Sequence, residues 1–238
     1  MFTNKITKTN KIKVLWCGLI VTTIAFFTFL ITLCSSSWIT ITYPKGFYAV
    51  HRQMYVRKSN YGIIWECVLG KKTEGSMDVS KCYYHGTFMN EGEEPNEPYE
   101  PYVDRTLLAL IKTMTSFSII VALLLMLTFV CGLYSIREFR YMYKRLTGSL
   151  YILAAAALLV CMEVLNNVIR HGKENLPGFY PKDARHSYNI CYVLSWMVFI
   201  ILITMAFVFF ACSKKLKGTF DSATEEEGEC NRPVLLGR

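Results

Sequence analysis

The sequence VLWCGLIVTTIAFFTFLITLC, residues 14–34, contains 21 residues, and none of them is charged. A bilayer core about 30 Å thick is crossed by about 20 helical residues, each rising about 1.5 Å. Backbone polar groups in lipid must also be satisfied within the segment itself. The stretch is therefore predicted to be a membrane-spanning helix.

Three further apolar stretches predict three more spans. Residues 106–136 contain a single charge, Lys112. Residues 146–169 contain a single charge, Glu163, and residues 187–213 contain none. With 53% hydrophobic and 18% charged residues, the composition is typical of a four-helix membrane bundle rather than of a soluble domain.

The first span has a second interpretation, a cleaved signal peptide. Four lysines precede it and the sequence CSSS follows it. The apolar region of a signal peptide usually runs about 7–15 residues, which is shorter than this stretch. A retained helix is therefore the favoured interpretation.

Basic residues near the helix ends predict the orientation. The first span follows four lysines, REFRYMYKR separates the second span from the third, and KKLK follows the fourth. The loop at 170–186 also contains four bases, against this trend. The favoured orientation makes three segments cytoplasmic, 1–13, 137–145 and 214–238, and two extracellular, 35–105 and 170–186. We therefore expect a multi-pass plasma-membrane protein with both termini in the cytoplasm.

Two cysteines, Cys67 and Cys82, lie clear of the membrane in the predicted extracellular loop. Thiols in that compartment are oxidised, so a disulfide is predicted, with two free thiols as the alternative. Such a bridge stabilises a fold by about 2–4 kcal/mol. The sequences WITITYP, YGIIWECV and CYYHGTF are rich in aromatic and β-branched residues, and PKG supplies a turn before FYAV. We expect a small antiparallel β-sheet, stapled by the disulfide, on top of the helical bundle.

The sequence EPNEPYEPY repeats proline at every third position, which predicts a polyproline II spacer. Residues 91–104 carry six acids and no base. One interpretation is a patch that attracts cations or a basic partner. The other, which we favour, is a solvated linker.

The two charges inside the spans are the most informative polar residues, because such groups are expensive in lipid. Lys112 and Glu163 are each predicted about 10 Å deep from the extracellular side. They would form a structural ion pair between the second and third helices, or Lys112 would extend toward water. In a third interpretation Glu163, with Asn166 and Asn167, lines a site for a partner helix or a cation.

The remaining chemistry is sparse. Cys131 and Cys212, near the cytoplasmic ends of the second and fourth spans, are candidates for palmitoylation. The four histidines show no metal-ligand spacing, and no phosphate loop, CxxC pair or nucleophile elbow occurs. We predict no metal site, no cofactor, no nucleic-acid partner and no enzymatic activity.

Six residues carry a resemblance to a membrane-protein superfamily. A tryptophan follows the first span, then a glycine, a tryptophan and two cysteines follow in the loop, and an arginine opens the second span: Trp38, Gly62, Trp65, Cys67, Cys82 and Arg105. This pattern resembles the claudins, peripheral myelin proteins and calcium-channel gamma subunits. The resemblance implies four transmembrane helices and a long first extracellular loop that contains the linked cysteines.

The same resemblance implies two classes of function. In the first, the protein is an auxiliary subunit that tunes the trafficking or gating of a channel, receptor or adhesion partner. In the second, its extracellular sheet meets other copies and builds a cell–cell junction. Altered spacing in GIIWEC and an ending, VLLGR, without a PDZ-binding sequence favour the first prediction.

Overall fold

Four long helices form the body of the protein. The computed structural model describes residues 2–49, 54–72, 77–84, 105–137, 141–175, 180–181 and 183–213. The helices are α1 (Phe2–Cys34), α2 (Arg105–Arg137), α3 (Tyr141–Asn175) and α4 (Ile190–Cys212). Each contains a segment long and apolar enough to cross a membrane, which confirms the four-helix prediction.

The helices form a ring in which each packs against its neighbours in sequence and α1 closes against α4. Three of the four consecutive alanines of α3 are buried, and their small side chains let the neighbouring helices approach closely. Across the diagonal of the ring, the buried Tyr151 hydroxyl donates to Thr22 Oγ1 at 3.1 Å. Polar contacts inside the bundle are therefore made between side chains as well as along each helix.

A five-stranded antiparallel sheet lies at one end of the bundle. Its strands are β1 (Ile39–Ala49), β2 (Met54–Tyr61), β3 (Trp65–Lys71), β4 (Val79–Tyr84) and β5 (Arg185–Tyr188). They are ordered β4-β3-β2-β1-β5. The first four strands lie between α1 and α2, as predicted. The fifth comes from the connection between α3 and α4, so both loops build one sheet.

The structure differs from the sequence prediction at both ends of the sheet region and in the length of α3, which runs over Tyr141–Asn175 rather than residues 146–169. The PKG sequence does not turn the chain: β1 continues through it, with an irregular register between Thr42 and Phe47. Pro44 cannot donate to the ladder and Gly46 has a φ of 69°, so the extra residues form a bulge. At the other boundary, α4 begins at Ile190 rather than at residue 187 because β5 occupies residues 185–188. Asn189 caps this helix by accepting from the Ile190 N–H.

The two faces of the sheet differ in burial. Residues such as Ile39, Ile41 and Val68 belong to the same hydrophobic core as the helices. The opposite side, which we call the outer face, carries the residues that alternate with them. The sheet thus caps the bundle on one side and presents the other to its surroundings.

Candidate functional site

Trp38 is a junction between three elements. Its side chain is fully buried, and its indole Nε1 donates to the Thr32 carbonyl at the end of α1 at 2.7 Å. Its backbone N–H donates to Tyr61 of β2, and its carbonyl accepts from the N–H of Asn189, just before α4. The hydrogen-bonding groups of Trp38 are satisfied within the protein, so the residue holds the sheet on the bundle.

Gly62 lies where two backbones approach closely. A Cβ at this position would lie 2.5 Å from the Ser35 carbonyl oxygen and 2.8 Å from the Ser36 Cα. The Gly62 N–H also donates to the Trp65 carbonyl at 2.9 Å. Because only hydrogen fits there, this glycine of the predicted motif is required by packing.

The disulfide between Cys67 and Cys82 is confirmed, and the alternative of two free thiols is wrong. The two residues face each other directly in the register of β3 and β4. Two register pairs away, on the same face of the sheet, Trp65 opposes Tyr84 with ring centroids 5.4 Å apart. The bridge therefore fixes the edge strand on which this aromatic pair depends.

The outer face is aromatic and basic. Its second aromatic pair, Tyr48 and Tyr55, has centroids 4.9 Å apart, and all four rings of the two pairs are exposed. By the strand registers the face also carries Lys58 and Lys71. No acidic residue occurs on its described part. Exposed aromatic rings are typical of protein-binding surfaces.

Lys112 and Glu163 lie at the same depth in the bundle. Cys161 of α3 donates from Sγ to the Met114 carbonyl of α2 at 3.7 Å, which fixes the antiparallel register of these helices. Each charged residue lies two positions from that contact, toward the sheet. Two positions correspond to a rotation of about 200° around the helix axis. The side chains of Lys112 and Glu163 therefore do not start from the faces of α2 and α3 that meet at the Cys161–Met114 contact. The ion pair between them stays a prediction.

Glu163 is exposed on the outside of the bundle. Asn167, one helical turn further on the same face, is exposed as well. Both belong to the apolar span of α3, so this face is expected to meet lipid. Ionisable residues in transmembrane helices almost always face the bundle interior or a water-filled cavity. An outward carboxylate beside an outward amide is therefore unusual for a lipid-facing position.

Three residues border this pair. The Asn166 side-chain nitrogen donates to the Tyr192 hydroxyl at 3.3 Å, while its buried Oδ1 has no hydrogen-bond partner in the described part of the chain. The Tyr192 ring stacks on Tyr188 with centroids 4.4 Å apart. Burial, then the neighbouring Tyr192 and the Glu163 charge, raise the pKa of Tyr188. These five residues, Glu163, Asn166, Asn167, Tyr188 and Tyr192, are called the Glu163 cluster below.

Closer to the sheet, two histidines bond to residues of α3. His186 Nδ1 lies 2.6 Å from Lys173 Nζ, and His171 Nδ1 lies 2.9 Å from the Asn175 amide nitrogen. Burial and the Lys173 charge lower the pKa of His186. Within the residues that the structure describes, no three potential ligands are grouped to hold a metal ion. His51 and His85 lie outside them.

The remaining predicted residues are dispersed. Arg105 is the first residue of α2 and is exposed, while Cys131 and Cys212 are half-buried near helix ends. Palmitoylation of the two cysteines stays a prediction. The acidic residues 91–104 lie outside the described residues.

Sequence reasoning missed Tyr188 and Tyr192. A signal was present, because the two tyrosines are four residues apart at the start of an uncharged span. Tyrosine is enriched where transmembrane helices meet the membrane surface. That enrichment explains the type of residue but does not predict its contact with Asn166.

Comparison with known families gives one match. The family described as PMP-22/EMP/MP20/Claudin tight junction matches residues 23–213. The matched region includes Trp38, both bridged cysteines, the Glu163 cluster and most of the four helices. No curated protein matches the chain.

Proposed function

Because the chain belongs to the PMP-22/EMP/MP20/Claudin family, we propose that this multi-pass membrane protein is an accessory subunit. It packs beside a channel, receptor or adhesion protein in the plasma membrane and modulates the trafficking or gating of that partner. Both termini lie in the cytoplasm and the sheet lies outside. The family relationship alone is compatible with other roles, so the proposal depends on the Glu163 cluster.

The observation that carries the proposal is the outward exposure of Glu163 and Asn167 within the span of α3. In lipid alone both side chains would lack hydrogen-bond partners, which is unfavourable by several kcal/mol in a fully apolar medium. A second membrane protein that covers this face provides those partners. A lateral, side-by-side assembly therefore accounts for residues that the fold itself leaves outside the bundle.

The test compares two glutamates on the same helix. Glu174 is also exposed on α3, and the 11 positions between it and Glu163 return to nearly the same face about 16 Å closer to the helix end. Proteins that neighbour the tagged full-length chain in cells are labelled by proximity and purified in mild detergent. The variant Glu163→Gln should lose specific partners that both the wild type and Glu174→Gln retain. Partner sets that are identical for all three chains would contradict the proposal.

A second candidate function, assembly of cell–cell junctions, is favoured by the outer face. The exposed pairs Trp65–Tyr84 and Tyr48–Tyr55 provide rigid aromatic surface of the kind found in protein interfaces. Expression alone in cells without junction strands separates the two functions. Enrichment at cell contacts that is lost in Trp65→Ala/Tyr84→Ala would favour a junction, and a uniform surface distribution would favour the accessory role.

The orientation has its own test. A membrane-impermeant amine reagent applied to intact cells should label lysines of the sheet, such as Lys58 and Lys71, which are exposed or half-buried. It should leave the lysines of the N-terminal segment unlabelled until the membrane is permeabilised. The opposite pattern would invert the proposed topology.

A further inference from the structure

We propose that the Glu163 cluster binds a basic side chain, Arg or Lys, carried by the transmembrane helix of the partner. The inference rests on the proposed accessory function and specifies the chemistry of its contact. The cluster lies on the groove between α3 and α4, since Asn166 of α3 contacts Tyr192 of α4.

The first argument is the balance of donors and acceptors. An ionised Glu163 can only accept hydrogen bonds. The Asn166 amide donates one of its two N–H groups to Tyr192, which holds that ring beside the carboxylate, and its Oδ1 is buried without a partner among the described residues. A ligand for the carboxylate must therefore donate, and a positively charged donor also neutralises it.

The second argument is the aromatic wall beside the carboxylate. Tyr188 and Tyr192 are stacked 4.4 Å apart, and Tyr188 is half-exposed. The faces of tyrosine rings attract Lys and Arg cations, more strongly where water is excluded. An acidic or purely apolar ligand would gain nothing from this wall beyond simple contact.

The third argument identifies a helix as the source of the cation. Ala156, Val160, Glu163 and Asn167 are exposed at helical spacing along one face of α3. This face extends about 16 Å into the span, well below the cluster. The small Ala156 side chain lets another helix approach closely at its far end. A lipid headgroup would reach only the end near the sheet, whereas a transmembrane helix follows the whole face.

The depth of the cluster also suits a basic residue. Tyr192 is the third residue of α4, so the cluster lies near the end of the span where Lys and Arg side chains extend toward the membrane surface. A partner helix can therefore place its cation beside Glu163 while its backbone stays in lipid. Arg can in addition bond the carboxylate through two parallel N–H groups.

The experiment uses purified full-length protein and synthetic single-span leucine helices in vesicles. Each helix carries one guest residue, Arg, Lys, Gln, Glu or Leu, two turns below its outer end, and association is measured by energy transfer between dyes. In phosphatidylglycerol vesicles we expect the Arg and Lys helices to bind about tenfold more tightly than the Leu helix. Glu163→Gln should abolish this preference and Glu174→Gln should retain it.

Three results would overturn the inference. The first is equal binding of the Gln and Arg helices, and the second is a basic preference that survives in Glu163→Gln. The third is loss of the preference when phosphatidylcholine replaces phosphatidylglycerol, which would assign the site to an ammonium headgroup. The thermal unfolding profile of Glu163→Gln is compared with that of the wild type. A second variant, Asn166→Leu, removes the unpartnered oxygen and should also lose the preference for basic guest helices.

The outcome is separable from that of the proposed function. If partners in cells depend on Glu163 while the guest helices show no basic preference, the accessory role stands and the inferred chemistry fails. If the guest helices show the preference but no cellular partner depends on Glu163, the site binds cations and the accessory role fails.

Discussion

Two polar arrangements near the sheet end of the bundle differ in how completely their groups are satisfied. At the Trp38 junction the indole and both backbone groups of Trp38 bond within the protein, and Gly62 admits a close approach of the backbone at Ser35 and Ser36. In the Glu163 cluster a carboxylate and an amide are exposed, and the Asn166 oxygen is buried without a partner among the described residues. The contrast suggests that the family motif builds the scaffold, while binding is served by polar groups that the scaffold leaves unsatisfied.

The largest effect is expected for Trp38→Ala. Removing a fully buried tryptophan costs about 3–5 kcal/mol, and the Thr32 carbonyl loses one of its two donors and keeps the Ser35 N–H. Thermal unfolding in detergent should show this loss, whereas Trp65→Ala, which removes an exposed ring, should unfold close to wild type. Similar losses in the two variants would mean that the junction is not the structural centre of the sheet.

Breaking the disulfide should have the next largest effect. The double variant Cys67→Ser/Cys82→Ser should lower the free energy of unfolding by about 2–4 kcal/mol. A reducing agent should destabilise the wild type and leave the double variant unchanged. Because the bridge lies on the outer face, association with basic guest helices at the Glu163 cluster should persist in the variant that still folds. If the double variant loses association with the guest helices as well as stability, the disulfide supports the Glu163 cluster and not the sheet alone.

Substitutions at two glycines distinguish the cost of a steric clash from the cost of backbone strain. Gly62→Asn should cost about 1–3 kcal/mol because the new Cβ meets the Ser35 carbonyl. Gly46→Asn should cost less, since nothing lies within 4 Å of its Cβ position and asparagine tolerates a φ of 69°. The unfolding midpoints of the two variants test this order. A larger loss of stability for Gly46→Asn than for Gly62→Asn would contradict the packing argument at Gly62.

A smaller effect should follow acidification. The pKa of His186 is lowered in the folded protein from its ordinary value of 6.5, so the folded state favours the neutral ring. The unfolded chain binds the proton more readily, and the contribution of His186 to stability is present above pH 6.5 and lost as the pH falls through the folded pKa. The protection factors of the β5 amides against hydrogen exchange, which are corrected for the intrinsic rate at each pH, should therefore be lower at pH 5 than at pH 7.5. His186→Gln should reduce the difference, and an unchanged difference would assign it to other groups.

The smallest effect on stability is expected for Glu163→Leu. An exposed carboxylate in a lipid-facing position contributes little to the fold, so surface expression should remain close to wild type while partner binding is lost. The double variant Lys112→Leu/Glu163→Leu provides the control. If Glu163→Leu lowers surface expression and the double variant restores it, the two residues form a structural ion pair. Glu163 would then be paired within the protein rather than available to a partner helix.

The spans and the disulfide could be predicted because their causes are local. An uncharged run such as residues 14–34 has few alternatives to a lipid-buried helix, and the predicted extracellular location of Cys67 and Cys82 favours a disulfide between them. Strand β5 could not be predicted, because four residues with no buried side chain form a strand only through pairing with the distant β1. The α3 residues of the Glu163 cluster were singled out from the sequence, and their role as a site stays a prediction. Tyr188 could not be placed beside them, because the same long-range pairing positions it, and Tyr192 of α4 stacks on it.

The pairing of β1 with β5 fixes the order in which the sheet can form during synthesis. A ribosome delivers β1 early, but the residues that cover its free edge emerge only after the third helix has been made. Until then that edge has no partner strand and is open to non-native pairing. The first loop can therefore complete its sheet only after the connection that follows the third helix has been synthesised.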